Sequence, residues 1–201
     1  MDNSILVVIV NGEKGNKILE FVHSMGITDV SRYYGRGTMQ NKLRRMIEVG
    51  QVRKEILFIS IPSDRETEII NSLNKEFLLE RKNHGIAFII SKKDDYLDYR
   101  AIFAVRDKAE EVVEISQEAG YFGGTIIEGG EDLEKLSSLL DLDIGQDKEL
   151  VLMILSSNNA NTLSLLLKEK LDLQNSGETL VTLGVSKAVG LYEDSVFAGL
   201  E

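Results

Sequence analysis

Cysteine and tryptophan are absent from this sequence, proline occurs once and histidine twice. Without cysteine there is no disulfide framework, no thiolate zinc site and no cysteine nucleophile, and the composition suits a reducing compartment, so a cytoplasmic location is expected. Neither His23 nor His84 has a metal-ligating partner at helical spacing, so no metal site is expected. Long hydrophobic runs are also missing. The longest near the start, ILVVIV at 5–10, is too short to span a bilayer, and the acidic MDNS before it does not suit a signal peptide. The chain is therefore not expected to be membrane-embedded. Basic charge is in deficit: 23 Lys and Arg stand against 33 Asp and Glu, for a net charge of −10. That balance argues against nonspecific nucleic-acid binding, which needs a basic face to release counterions.

What is present is an ordinary globular composition, 43% hydrophobic and 28% charged over 201 residues, enough for one large or two small domains. No Ser-His-Asp or P-loop pattern emerges. Acid pairs such as Glu110 and Glu114, one helical turn apart, read as a solvated face rather than tuned catalytic carboxylates. Enzymatic activity is not expected.

An internal repeat organises the chain. An offset of 94 residues places Glu20 on Glu114, Gly26 on Gly120, Gly35 on Gly129, Lys54 on Lys148 and Glu55 on Glu149 without a gap. Each half reads as strand, helix, strand, strand, helix, strand by hydrophobic periodicity. In the first half the strands are 5–10, 28–35, 54–62 and 85–91, with helices over 13–26 and from 63 onward. In the second they are 99–105, 123–129, 149–155 and 178–185, with helices over 107–120 and 159–171. The expected fold class is therefore α+β: two tandem ferredoxin-like (β-α-β-β-α-β) units with antiparallel sheets. The units are placed at 1–95 and 98–192, with a charged hinge at 92–98 and a tail at 193–201.

About 18 residues separate Gly35 from Lys54, where a simple hairpin needs two to five. That loop carries Arg36, Lys42, Arg44, Arg45, Arg53 and Lys54 against Glu48 alone. The matching second-half stretch reverses the sign, with Glu131, Asp132, Glu134, Asp141, Asp143 and Asp147 against Lys135 and Lys148. Two readings follow. Gly35, Arg36, Gly37 and Thr38 can form an anion cradle from backbone N–H groups and a guanidinium fork. Alternatively, the basic loop pairs with acidic groups of the other copy or a neighbouring chain. Lys42, Arg44 and Arg45 read better as a solvated or partner-facing helical turn.

YYGRGT, KEILFISI and GIAFIIS in the first half, and GGTIIEGG, KELVLMIL and KAVGLY in the second, resemble a divergent branch of the PII signalling family, duplicated in one chain. The resemblance implies a regulatory protein that binds a small anionic or nucleotide effector, an adenine nucleotide among the candidates, and contacts a protein target through a T-loop at 36–54. It implies ligand contacts at Gly35, Arg36, Gly37 and Thr38, and at His84 and Gly85 in the B-loop position. It also implies a homo-oligomer, a trimer first and a dimer as the alternative. The family's phosphate-binding lysine after the B-loop glycine is replaced here by Ile86, and its magnesium-holding glutamine by Met39. A tandem amino-acid-sensing module of the ACT type, with its site at the strand-helix turn AsnGlyGluLysGly (11–15), is the alternative. An interaction protein that has lost small-ligand binding is the third reading.

Overall fold

A computed structural model describes residues 3–38, 53–91, 97–128, 133–142, 144, 148–171 and 179–191. The first half contains β1 (Asn3–Asn11), α1 (Gly15–Ser24), β2 (Val30–Gly37), β3 (Arg53–Pro62), a single 3-10 turn, α2 (Glu66–Phe77) and β4 (Ile86–Ser91). The second contains β5 (Tyr99–Arg106), α3 (Ala109–Glu118), β6 (Thr125–Ile127), α4 (Leu133–Leu140), β7 (Glu149–Ser156), α5 (Ser157–Lys170) and β8 (Thr179–Val189). Local chemistry sets the helix ends. Gly26, at φ +80°, follows α1 and lets Ile27 N–H return to the Val22 carbonyl at 3.1 Å. Gly120, at φ +86°, repeats the device after α3, where Tyr121 N–H reaches the Ser116 carbonyl at 2.8 Å.

The expectation of two tandem ferredoxin-like units is corrected by the sheet. All eight strands form one closed antiparallel barrel in the order β1-β3-β2-β6-β7-β5-β8-β4. Two seams join the halves. At one, β2 pairs with β6, with Gly35 opposite Ile127, Arg36 opposite Ile126 and Gly37 opposite Thr125. At the other, β4 pairs with β8 from Ala87 opposite Val189 to Ser91 opposite Gly184, with a register shift between Ile89 and Ile90.

The physical reason lies in the strands themselves. Seven consecutive residues of β1, Ser4 to Val10, are buried, so neither face of the strand meets water. Ile5, Val7 and Ile9 point into the barrel with Phe58, Phe88 and Phe103, whereas Leu6, Val8 and Val10 lie under α1 and α2 with Ile18, Val22 and Leu73. The second half uses α3 and α5 in the same way, over Ile102, Ala104 and Val151. Two open sheets would expose their apolar inner faces and the unpaired backbone groups of four edge strands. Closure buries the faces and pairs the edges.

Four helices cover the outside of the barrel, and α4 differs. Leu136 and Leu140, with Leu142 and Ile144 just beyond the helix, belong to the barrel interior, and Leu136 is fully buried. The acidic second-half stretch, expected as a long loop, thus carries a helix whose apolar side enters the barrel at one mouth. Among the described residues no helix is long and apolar enough to cross a membrane.

Candidate functional site

The strand β2 carries the Gly-Arg-Gly-Thr stretch into the first seam. Gly35 has no room for a side chain, because a Cβ there would sit on the Ile126 carbonyl oxygen of β6. Neither Gly35 nor Gly37 has a positive φ, so the stretch is extended strand rather than a turn of converging N–H groups. Thr38 is buried, and its N–H donates to the Gly124 carbonyl at 2.9 Å while its own carbonyl accepts from Gln117 Nε2 at 3.2 Å. The four residues expected to cradle an anion therefore hold the halves together.

Arg36 does the same with charge. Its side chain turns toward α3 and meets three carboxylates of the second half: Glu110 at 2.6 Å, Glu149 at 2.9 Å and Glu128 at 3.3 Å. Burial alone would lower the guanidinium pKa, and the hydrogen bonds to Glu149 and Glu110 more than offset it, so the net shift is upward. The partner carboxyl of Glu110 is held below its ordinary value, chiefly by the Arg36 hydrogen bond. Pairing between the copies, one of the two sequence-based alternatives, is the arrangement Arg36 adopts.

Glu149 has a second role. While its Oε1 accepts from Arg36, its Oε2 accepts from the N–H of Ala109, the first residue of α3, at 3.1 Å. An anion there complements the positive end of the helix. Ninety-four residues earlier, Glu55 does the equivalent for α1, its Oε2 accepting from Gly15 N–H at 2.5 Å. A Cβ at Gly15 would overlap that oxygen, so a side chain there would displace the Glu55 carboxylate. These two glutamates escaped sequence reasoning as functional groups, although their identity at the 94-residue offset was the available signal.

The neighbouring lysines differ between the halves. In the second, Lys148 ion-pairs with Asp107 at 2.7 Å, and Asp107 is held below its ordinary pKa mainly by that bond. In the first, Lys54 donates to Asn11 Oδ1 at 2.6 Å, and no carboxylate pairs with it among the described residues. Alternation with Ile56 and Phe58 puts Lys54 on the interior side of β3, at the barrel mouth opposite α4. Partial burial lowers its pKa, because desolvation disfavours the ammonium. Gly37 leaves space for it, a Cβ there lying 3.2 Å from Lys54 Cε.

The same corner gathers the strand-helix turn and the B-loop position. Asn11 Nδ2 reaches the Asn83 carbonyl and Lys14 Nζ the His84 carbonyl, both at 3.4 Å. His84 Nδ1 lies 3.2 Å from the Phe77 carbonyl. A carbonyl only accepts, so Nδ1 carries a proton, and in a neutral ring Nε2 is the acceptor. Gly85, at φ +133°, has no room for a Cβ between Ile9 and Val10. His84 and Gly85 are thus brought to Asn11 and Lys14, while Arg36 faces the second half. Lys42, Arg44 and Arg45 lie outside the described residues.

No family model matches the chain, and no curated protein matches it. The PII resemblance therefore rests on the quoted residues alone. Among solved structures the chain is similar to an acetolactate synthase small subunit from Thermotoga maritima, at 11% identity over 96% of this chain and 99% of that one. The TM-score is 0.30, a likeness too loose to carry an argument.

Proposed function

We propose that this chain is a non-enzymatic regulatory protein that binds a small anion at the corner formed by Asn11, Lys14, Lys54 and His84, and signals occupancy to a protein partner. The supporting observation is the half-buried ammonium of Lys54 set against a neutral amide, where its counterpart Lys148 has Asp107. A desolvated cation with no carboxylate partner among the described residues favours an incoming carboxylate or phosphate. Lys54 also sits where β3 begins, directly after the 39–52 segment that joins it to β2, so an anion at Lys54 is placed to act on that basic segment. An adenine nucleotide is one such anion. The inclusion of Asn11 and Lys14 in the corner favours a second reading, an amino-acid-sensing module of the ACT type.

Thermal shift and calorimetry against phosphate, ADP, ATP, 2-oxoglutarate and free amino acids test both readings, since a ligand specific to the folded state raises its stability. Lys54→Met is expected to weaken anion binding at least tenfold while leaving the melting temperature unchanged or raised. Arg36→Ala is expected to leave that affinity unaltered. Equal affinity in wild type and Lys54→Met sinks the assignment. Light scattering at working concentrations separates the trimer and dimer expectations from a monomer.

A further inference from the structure

At the opposite mouth of the barrel, α4 and the wall of the first half flank an open cleft of about 340 Å³. Its lining comes from both halves: Asn3, Ile5, Asp29 and Ser60 on one side, Ser138 and Leu139 of α4 on the other. Lys135 Nζ and Asp29 Oδ1 meet across it at 3.1 Å. Both side chains of that pair are more than half exposed, at 55% and 58%. An ion pair so exposed is worth about 0–1 kcal/mol, so separating it costs little.

We propose that this cleft binds a small zwitterion bearing a carboxylate and an ammonium on one carbon or on neighbouring carbons. The carboxylate takes Lys135 and the ammonium takes Asp29, so one weak pair is exchanged for two charge-assisted hydrogen bonds. Asn3 and Ser60, which hydrogen-bond to each other at 3.2 Å, and the hydroxyl of Ser138 supply polar contacts. Ile5 and Leu139 give the ligand's carbon skeleton an apolar floor. The matched charges decide the class. A phosphate or dicarboxylate meets Asp29 as a like charge, and a diamine meets Lys135 in the same way. The volume lies at the small end of the range for small-molecule sites, which suits a ligand the size of an amino acid. Because Leu136 and Leu140 of the same helix lie in the barrel core, occupancy holds α4 in place and raises global stability.

This site is independent of Lys54, which allows the two assignments to fail separately. Thermal shift and calorimetry with L-serine, L-valine and glycine betaine are run on the full chain, with propionate, propylamine and phosphate as controls. L-Serine or L-valine is expected to stabilise wild type and Lys54→Met alike. Lys135→Met and Asp29→Asn, both at exposed positions, are each expected to lose at least tenfold in affinity without losing the fold. Ser138→Leu fills the cleft and is expected to abolish binding. Betaine, whose cation cannot donate, is expected to bind more weakly than serine. No effect of any amino acid on the wild type at millimolar concentration overturns the proposal. So does equal binding by Lys135→Met, or equal binding of propionate or propylamine.

Discussion

Apart from α4, the described elements of the two halves follow the same succession of strands and helices, yet the halves treat the same positions differently. In the second half every comparable charge is answered from within the chain: Lys148 by Asp107, and Glu149 by Arg36 together with the first N–H of α3. In the first half, among the described residues, Lys54 meets the amide of Asn11 and no carboxylate, and Glu55 meets the first N–H of α1. Arg36 has no cationic counterpart, because the 94-residue offset places Gly130 there. The lesson is that the closing seam draws on both halves, whereas the polar corner at Asn11, Lys54 and His84 belongs to the first. Three of the second half's carboxylates, Glu110, Glu128 and Glu149, clamp Arg36.

The largest expected effect tests whether α4 is structural. Leu136→Ala is expected to cost about 2–5 kcal/mol by urea unfolding, as for other fully buried leucines whose loss leaves a cavity. A loss below about 1 kcal/mol is incompatible with a helix whose leucine fills the barrel.

Next comes the seam. Gly35→Val must force β2 away from β6, and a destabilisation of about 1–3 kcal/mol or more is expected. The equivalent change at Gly12, where a Cβ would lie 3.6 Å from the Arg53 carbonyl, is expected to be milder. Comparable melting temperatures for the two variants would remove the seam as the reason for the glycine.

The two glutamates give the sharpest version of the comparison. Glu149→Gln loses the charge on both Arg36 and the helix terminus and is expected to cost about 1.5–3 kcal/mol. Glu55→Gln loses only the helix-terminus term, about 0.3–1 kcal/mol. Paired denaturation curves check the difference, and equal costs would show that Arg36 contributes nothing to the second half.

The smallest effect is on pH dependence. The folded pKa of Glu110 lies below its ordinary value of 4.5, so its contribution is present in full above that value and is lost as pH falls through the folded one. Wild type should therefore lose stability on acidification below about pH 4.5, and Arg36→Ala should lose less. Parallel acid-unfolding curves for the two proteins are the contrary result.

Most helices and strands were legible because their periodicity is local: Ile18 and Val22 share the buried face of α1, with Phe21 and Met25 partly buried beside them, and Ile69, Ile70 and Leu73 share that of α2. The barrel was not read, although its signal was present. ILVVIV, EILFISI and ELVLMIL are continuous apolar runs rather than alternating ones, and such runs mean that both faces of a strand are covered. The site residues fared differently. Arg36 was singled out for its glycine neighbours, but what a guanidinium binds depends on which carboxylates the fold delivers. Glu110, Glu128 and Glu149 lie 74, 92 and 113 residues away. Likewise α4 is masked in the sequence by the acidic residues on either side of it, and its leucines needed a barrel to enter.

By itself the sequence determined the repeat, the alternation of elements, the helix ends at Gly26 and Gly120, and the reversal of charge between the halves, because each rests on neighbouring residues and short-range sterics. Only the tertiary structure decided that the two sheets close on one another and that Gly35 is a seam rather than a cradle. It alone set Lys54 against an amide and Arg36 against three carboxylates. Those outcomes depend on which surfaces are left uncovered once the elements have formed, and burying them against each other is a property of the assembled chain.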